Sequence, residues 1–296
     1  MPELCLTGSS HVDALSVSDE GVVAVATSML TGELWGGSIL LLRPGPDSSE
    51  PSLSITVSTA SGNSAVLWAG PGLVASGDDA GDVSLWRFAA DALGIAGEDP
   101  RPIATYREHE DSITCLACSK GGQRLASGSQ DGTVKVWPSN STTMAEHSLI
   151  HTSPDPWCNP GITDITFLTT DTLVSVAMDG LVRLWDLRMS DPSVRSIARE
   201  AAGVCSVTTA NDTLLIGGTQ SGDVISVDLR SGGESYVTQR ASMGHGAVRS
   251  LCVAPGATNA SRPLLAAAYD SGDASVINVS NMEACAAISG HSDRMS

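Results

Sequence analysis

Three times along the chain a glycine is followed five residues later by a tryptophan: Gly81 to Trp86 (GDVSLW), Gly132 to Trp137 (GTVKVW) and Gly180 to Trp185 (GLVRLW). In two further copies an aliphatic residue replaces the aromatic, from Gly222 to Val227 (GDVISV) and from Gly272 to Ile277 (GDASVI). Successive glycines lie 51, 48, 42 and 50 residues apart. The clearest copy, Leu125 to Trp137 (LASGSQDGTVKVW), reads as strand, tight turn, strand. A period of this length, filled by four short strands, is the sequence signature of a β-propeller. Helical solenoids of similar period are excluded, because these segments alternate at period two and carry Gly and Asp at their turns.

Taken in order, the units lie near 11–58, 59–108, 109–150, 151–202, 203–243 and 244–290. The expected fold is therefore all-β: one propeller over 1–296, with six full blades and an incomplete seventh made from 1–10 and 291–296. Glu3–Thr7 (ELCLT) suits the outer strand of that seventh blade, whose three inner strands are missing. A shortened isoform or gene model is preferred to six blades closing under strain. Blades one and six would then each keep an uncovered face, which predicts poor solubility or dimerisation. Three segments interrupt the pattern. Met29–Gly37 reads as a turn longer than in any other unit, Ala89–Pro102 as a surface loop, and SPDPWCNPG as a Pro-interrupted loop that sets Trp157 apart from the strands.

The formal charge of −17 argues against direct nucleic-acid binding, which needs a basic face. It suits basic partners, which an acidic surface attracts and steers, and equally suits simple solubility. Seven dispersed cysteines, no charged-then-apolar leader and no membrane-length apolar run are read as a reduced, intracellular, soluble protein.

Little in the chain points to catalysis. His109, Ser127, Asp131 and Trp137 have the types and order of a WD-repeat hydrogen-bond network, a structural role. Units five and six have lost the Trp, so their networks should be weaker. Cys115 and Cys118 form a CxxC, but on a strand and without a second pair at zinc-site spacing, so they read as core residues. His147 and His151 belong to no HExxH and are taken as unrelated. No GxSxG, P-loop or helix-opening GxGxxG is present. No metal, cofactor or catalytic residue is expected, and the chain is read as a non-enzyme. Trp35 stands outside the repeat: either it folds back over the blade edge, or it is an exposed anchor for a partner.

The run VAVATSMLTGELWGGSILLLRPG resembles the opening blade of the methylosome WD-repeat adaptors, the propeller subunits of type II protein arginine methyltransferase complexes. The similarity continues through AVLWAGPGLVASGDDAGDVSLW, YREHEDSITCLACS and SGSQDGTVKVW, and is looser in the last three units. This resemblance implies a non-catalytic adaptor that docks on the methyltransferase. It would present arginine-rich substrates, such as histones and spliceosomal Sm proteins, for symmetric dimethylation. It implies that Trp35, flanked by Leu34 and Gly36, inserts into the enzyme, and that S-adenosylmethionine binds the partner rather than this chain. The expected setting is cytoplasmic and nuclear, in a hetero-oligomer, with no membrane. Other readings are a scaffold or substrate receptor of another assembly, such as a ubiquitin ligase, and, last, a propeller enzyme.

Overall fold

The structure, a computed structural model, describes residues 10–31, 34–43, 52–88, 101–138, 145, 147–150, 160–189, 193–230, 237–242, 244–254 and 263–289. Two segments singled out above, Glu3–Thr7 and 291–296, lie outside the described residues, as do His151 and Trp157.

Among the described residues twenty-four strands form six four-stranded sheets, each pairing its strands in chain order. The first holds β1 (Ser10–Val17), β2 (Val23–Thr31), β3 (Leu34–Arg43) and β4 (Ser52–Thr59); the second β5 (Asn63–Gly70), β6 (Leu73–Asp78), β7 (Val83–Arg87) and β8 (Pro102–Tyr106). The third holds β9 (Ile113–Cys118), β10 (Arg124–Ser129), β11 (Thr133–Pro138) and β12 (His147–Ile150); the fourth β13 (Ile162–Thr169), β14 (Thr172–Ala177), β15 (Leu181–Asp186) and β16 (Ser193–Arg199). The fifth holds β17 (Val204–Asn211), β18 (Leu214–Thr219), β19 (Asp223–Asp228) and β20 (Val237–Ser242); the last β21 (Val248–Val253), β22 (Leu264–Tyr269), β23 (Ala274–Asn278) and β24 (Glu283–Ile288). Two compact units result, one of 1–131 with 135–146, the other of 132–134 with 147–296.

The recurring glycine closes the hairpin between the second and third strands of sheets two to six. Gly81, Gly132, Gly180, Gly222 and Gly272 have φ between 78° and 87°, the left-handed region that side chains avoid. Five residues on, in sheets two, four, five and six, the partner is apolar: Trp86 faces Val74, Trp185 faces Leu173, Val227 faces Leu215 and Ile277 faces Leu265. The residue opening the turn fixes it. Asp78 Oδ1 accepts from the N–H groups of Ala80 and Asp82 at 3.0 and 2.9 Å, and Thr219 Oγ1 accepts from that of Asp223 at 3.0 Å.

Within the first unit, Ala24, Ala26, Ile39 and Leu41 of the first sheet pack on Val66, Val74, Trp86 and Phe88 of the second. Ala75, Leu85 and Tyr106 then pack on Ile113, Leu125 and Trp137 of the third. In the second unit Val176, Val182 and Ile197 meet Val207, Leu215 and Ile225, and Ile216 and Val224 meet Val248, Leu265 and Tyr269. Each Leu or Ile so buried contributes about 1.5–3 kcal/mol. Small Ala and Val side chains let narrow sheets approach face to face. In the first and last sheets in chain order Leu15 and Val17 of β1 are exposed, as is all of β24, whereas Val25, Leu40 and Leu42 are buried.

One expectation needs correction. Met29–Gly37 is not a long turn: β2 and β3 pair as far as Thr31 and Leu34, with Met29 opposite Gly36 and Leu30 opposite Trp35. Gly37 serves close approach rather than turning, since a Cβ there would lie 2.7 Å from Asn63 Nδ2 and 2.8 Å from the Ser61 carbonyl. Pro102, expected in the loop before it, opens β8, an outer strand that tolerates its missing N–H.

The first strands of most sheets carry a bulge that turns a side chain toward the next sheet. At one, Thr163 Oγ1 donates to the Val204 carbonyl at 2.5 Å; at another, Ser64 Oγ donates to that of Ile113. Beside Thr163, Asp164 accepts from Ile165 N–H and Val207 N–H, both at 2.8 Å, which ties β13 to β17. It is half-buried, and desolvation pushes its pKa up to about 7 despite those two donors. A carboxyl raised in the folded state binds protons on folding. Its contribution is fully present below the unfolded value near 4 and is lost as pH rises toward 7, by up to about 4 kcal/mol. Asp164→Asn should therefore flatten this part of the profile: the stability of wild type minus variant, from urea titrations at pH 4.5 to 8, falls with rising pH. A pH-independent difference would refute the neutral carboxyl.

Candidate functional site

The polar framework of the third sheet starts from His109, held between β8 and β9. Its Nδ1 lies 2.9 Å from Asp131 Oδ2 and its Nε2 2.7 Å from Ser127 Oγ. Asp131 also accepts from Glu110 N–H at 3.0 Å, so one turn carboxylate holds both ring and backbone of the sheet's entry. Burial lowers the His109 pKa, against the opposing pull of Asp131. Trp137 is brought alongside but not bonded in. Its ring stacks on Tyr106 at 5.0 Å and stands edge-on to His109 at 6.1 Å, while its buried Nε1 has no hydrogen-bond partner among the described residues. In sheets two and four the indole does reach the matching serine, Trp86 to Ser76 at 2.9 Å and Trp185 to Ser175 at 2.7 Å. In sheet three His109 engages that hydroxyl instead.

Where the chain lacks the Trp it also lacks the Ser. Two residues after the apolar partner, Ser76 and Ser175 are matched by Gly217 in sheet five and Ala267 in sheet six. Losing donor and acceptor together leaves no orphaned group, so the change is nearly neutral. The same sheets carry arginine ion pairs and a histidine–carboxylate contact. Arg240 bridges Glu200 and Asp223, both at 2.6 Å; His245 Nδ1 lies 3.0 Å from Asp273; Arg249 grips Asp270 through two contacts at 2.6 and 2.7 Å. Sequence reasoning missed these pairs because their members come from different strands and turns.

Trp35 lies near the tip of the long β2–β3 hairpin, on a strand that Leu34 opens and Gly36 continues. Its indole Nε1 donates to Asp79 Oδ2 at 2.6 Å, folding the ring across the β6–β7 turn of the second sheet. Gly62 makes room beneath, since a Cβ there would sit 2.5 Å from both the indole nitrogen and the carboxylate. The residue nevertheless stays 46% exposed, beside Leu30 at 54%. Around it the first unit is acidic. Burial raises the pKa of Asp13 and of Asp78, and of this group Asp82 is paired, with Arg107 at 2.9 Å. An exposed aromatic–aliphatic pair set among carboxylates is suited to a partner surface that is both apolar and basic.

Cys115 and Cys118 are buried and half-buried on β9, three residues apart and so on opposite faces of a strand. Burial raises the Cys118 thiol. His147 is buried on β12. Among the described residues no three His, Cys, Asp or Glu side chains converge as a metal site, and no helix is long and apolar enough to cross a membrane.

Asp79→Ala should free the Trp35 indole from its only described anchor. At so exposed a site the expected loss of stability is under about 1 kcal/mol. Tryptophan emission should shift to the red and become more accessible to iodide. An unchanged spectrum would show that the ring is held by packing rather than by Asp79.

Similarity to known proteins follows the same repeats. The family model described as WD domain, G-beta repeat matches residues 100–138 and 148–186. The chain is 28% identical over 188 residues to the methylosome protein WDR77 of Xenopus laevis, covering 62% of this chain and 53% of that protein. It is 30% identical over 124 residues to the target of rapamycin complex subunit wat1 of Schizosaccharomyces pombe, covering 41% and 37%. A short segment of 41 residues is 62% identical to the mouse ribosome biogenesis protein BOP1, covering 13% and 6%. The chain thus spans about half the length of the first of these relatives and less of the others. With two matched WD repeats set among six four-stranded antiparallel sheets, the described residues have the fold of a WD-repeat β-propeller.

Proposed function

We propose that this WD-repeat scaffold is a non-catalytic adaptor of a type II protein arginine methyltransferase. In this reading Trp35 and Leu30, at the tip of the β2–β3 hairpin, insert into the enzyme, and the acidic surface holds arginine-rich substrates for symmetric dimethylation. S-adenosylmethionine stays on the enzyme, and the complex works in cytoplasm and nucleus on basic proteins such as histones and Sm proteins. The observation that carries it is the 46% exposure of a tryptophan whose polar atom is already satisfied. A partner would gain its ring surface without having to supply a hydrogen bond. The resemblance of VAVATSMLTGELWGGSILLLRPG to the family's opening blade, the similarity to the methylosome protein and the charge of −17 support the same assignment. Similarity to a target of rapamycin complex subunit and to a ribosome biogenesis protein supports a second reading, a scaffold of another assembly docking through the same tip.

Size-exclusion chromatography with light scattering, on the chain alone and mixed with the methyltransferase, separates the two. Co-elution as a defined complex is the expected result. Trp35→Ala should weaken that complex by hot-spot magnitude, about 2 kcal/mol or more, with an unchanged melting transition. A chain that ignores the methyltransferase but recovers another assembly would transfer the assignment to the second reading.

A further inference from the structure

A second candidate surface lies at the opposite end of the same two sheets. The β1–β2 turn, the β5–β6 turn and the residue after β7 enclose a cavity of about 410 Å³. Its walls are apolar: Val17, Val22, Trp68 and Phe88, closed by Gly70–Gly72. Its rim carries the exposed carboxylates of Asp19 and Glu20; among the described residues no Lys or Arg lines it, although Arg43 and Arg87 stand exposed at the nearby ends of β3 and β7. The volume falls in the range of ligand sites, and it would hold one large aliphatic side chain with its flanking backbone.

The walls are pinned. Val22 N–H donates to Ser18 Oγ at 3.0 Å, Trp68 N–H to Ser16 Oγ at 3.1 Å, and Phe88 N–H to the Gly72 carbonyl at 2.8 Å. The cavity is therefore a preformed feature of two linked turns, which limits the ordering cost of filling it. Trp68 Nε1 is shielded from solvent, so the indole offers the cavity carbon surface rather than a donor. Val17, at the mouth, is 58% exposed, an apolar side chain the fold leaves uncovered.

Charge selects the occupant. Among the described residues neither Asp19 nor Glu20 is paired with a cation. The two connections that leave the sheets at this end add none: 44–51 (PGPDSSEP) and 89–100 (AADALGIAGEDP) contain five acidic residues and no Lys or Arg. The carboxylates would repel both. We propose that this cavity is a docking site for an extended segment of a partner protein that places an aliphatic side chain between Trp68 and Phe88 and a neighbouring lysine or arginine against Asp19 and Glu20. The proposal is independent of the methyltransferase reading, since it concerns another end of the sheets and none of the same residues.

Fluorescence polarisation of labelled hexapeptides against the full chain tests it. The probes are alternating Leu/Lys, alternating Leu/Glu and alternating Lys/Ser. The Leu/Lys probe alone should bind, with affinity falling several-fold as salt rises from about 50 to 300 mM. Gly70 has an ordinary φ and open space where a Cβ would stand, so Gly70→Leu should fill the cavity edge without disturbing the fold. It should weaken the Leu/Lys probe about tenfold or more with an unchanged melting curve. Asp19→Asn with Glu20→Gln should weaken the probe several-fold and remove its salt dependence. Equal binding of the Leu/Glu probe, indifference to Gly70→Leu, or no binding up to the probe's solubility would overturn the proposal. Binding of a peptide of sequence AADALGIAGEDP in place of the Leu/Lys probe would also overturn it, by assigning the cavity to the chain's own connection.

Discussion

Where the hairpin glycine of one sheet meets the segment that enters the next, backbone lies on backbone. At Gly81 a Cβ would stand 2.8 and 2.9 Å from the carbonyls of Asp111 and His109; at Gly222 it would stand 2.6 Å from that of Gly246; at Gly180 it would overlap that of Glu200. The hairpin turn of one sheet is thus pressed into the segment that enters the next. That contact demands glycine twice over, for the left-handed φ and for the missing side chain. It fixes the spacing of neighbouring sheets, and the small Ala and Val faces between them follow from it. Each further layer of structure fills or braces a gap whose width the glycine has already set.

Bracing is where the sheets differ. In sheets two and four a buried indole–hydroxyl pair joins the two central strands, whereas in sheet three a histidine takes the hydroxyl and the tryptophan holds by stacking. Sheets five and six drop both members of the pair and carry Arg240, His245 and Arg249 with their carboxylates. Several of those pairs are partly exposed, where Coulomb attraction is screened and worth under about 1 kcal/mol each. The buried pairs cost more to break, because one lost partner leaves a desolvated group behind. The sequence reading that units five and six have weaker networks holds for the tryptophan network alone; Arg240, shared between Glu200 and Asp223, is a bridge it did not contain.

Legibility followed the range of the interactions. The strands and turns were open to inspection, since alternation and a five-residue glycine-to-apolar offset are local properties. Gly37 misled, because glycine serves both turns and close approach, and only the neighbouring Ser61 and Asn63 show which applies. The Trp137 indole misled for a similar reason: its serine was present, but His109 had a better-placed nitrogen. Asp164 gave no signal at all, because its partner, Val207 N–H, lies 43 residues away. The hydrogen bond from Trp35 to Asp79 spans 44 residues and was equally hidden, although the ring's unusual place outside the repeat was not.

Satisfied polarity and exposed carbon together mark Trp35 as different from the three tryptophans of the glycine-spaced repeat. Trp86, Trp137 and Trp185 are buried at 6%, 0% and 4%, so their ring surface is already used by the fold. Trp35 keeps nearly half of its surface, yet its one donor is bound and its position is set by Gly62 and Asp79. A mobile exposed ring would lose side-chain entropy on docking; a ring already tethered loses less, so more of its buried area is converted into affinity. The tether is also what makes the site selective. Asp79 holds the indole among carboxylates, so a surface that covers the ring must also meet negative charge, and an acidic partner would be turned away by the group that orients the anchor.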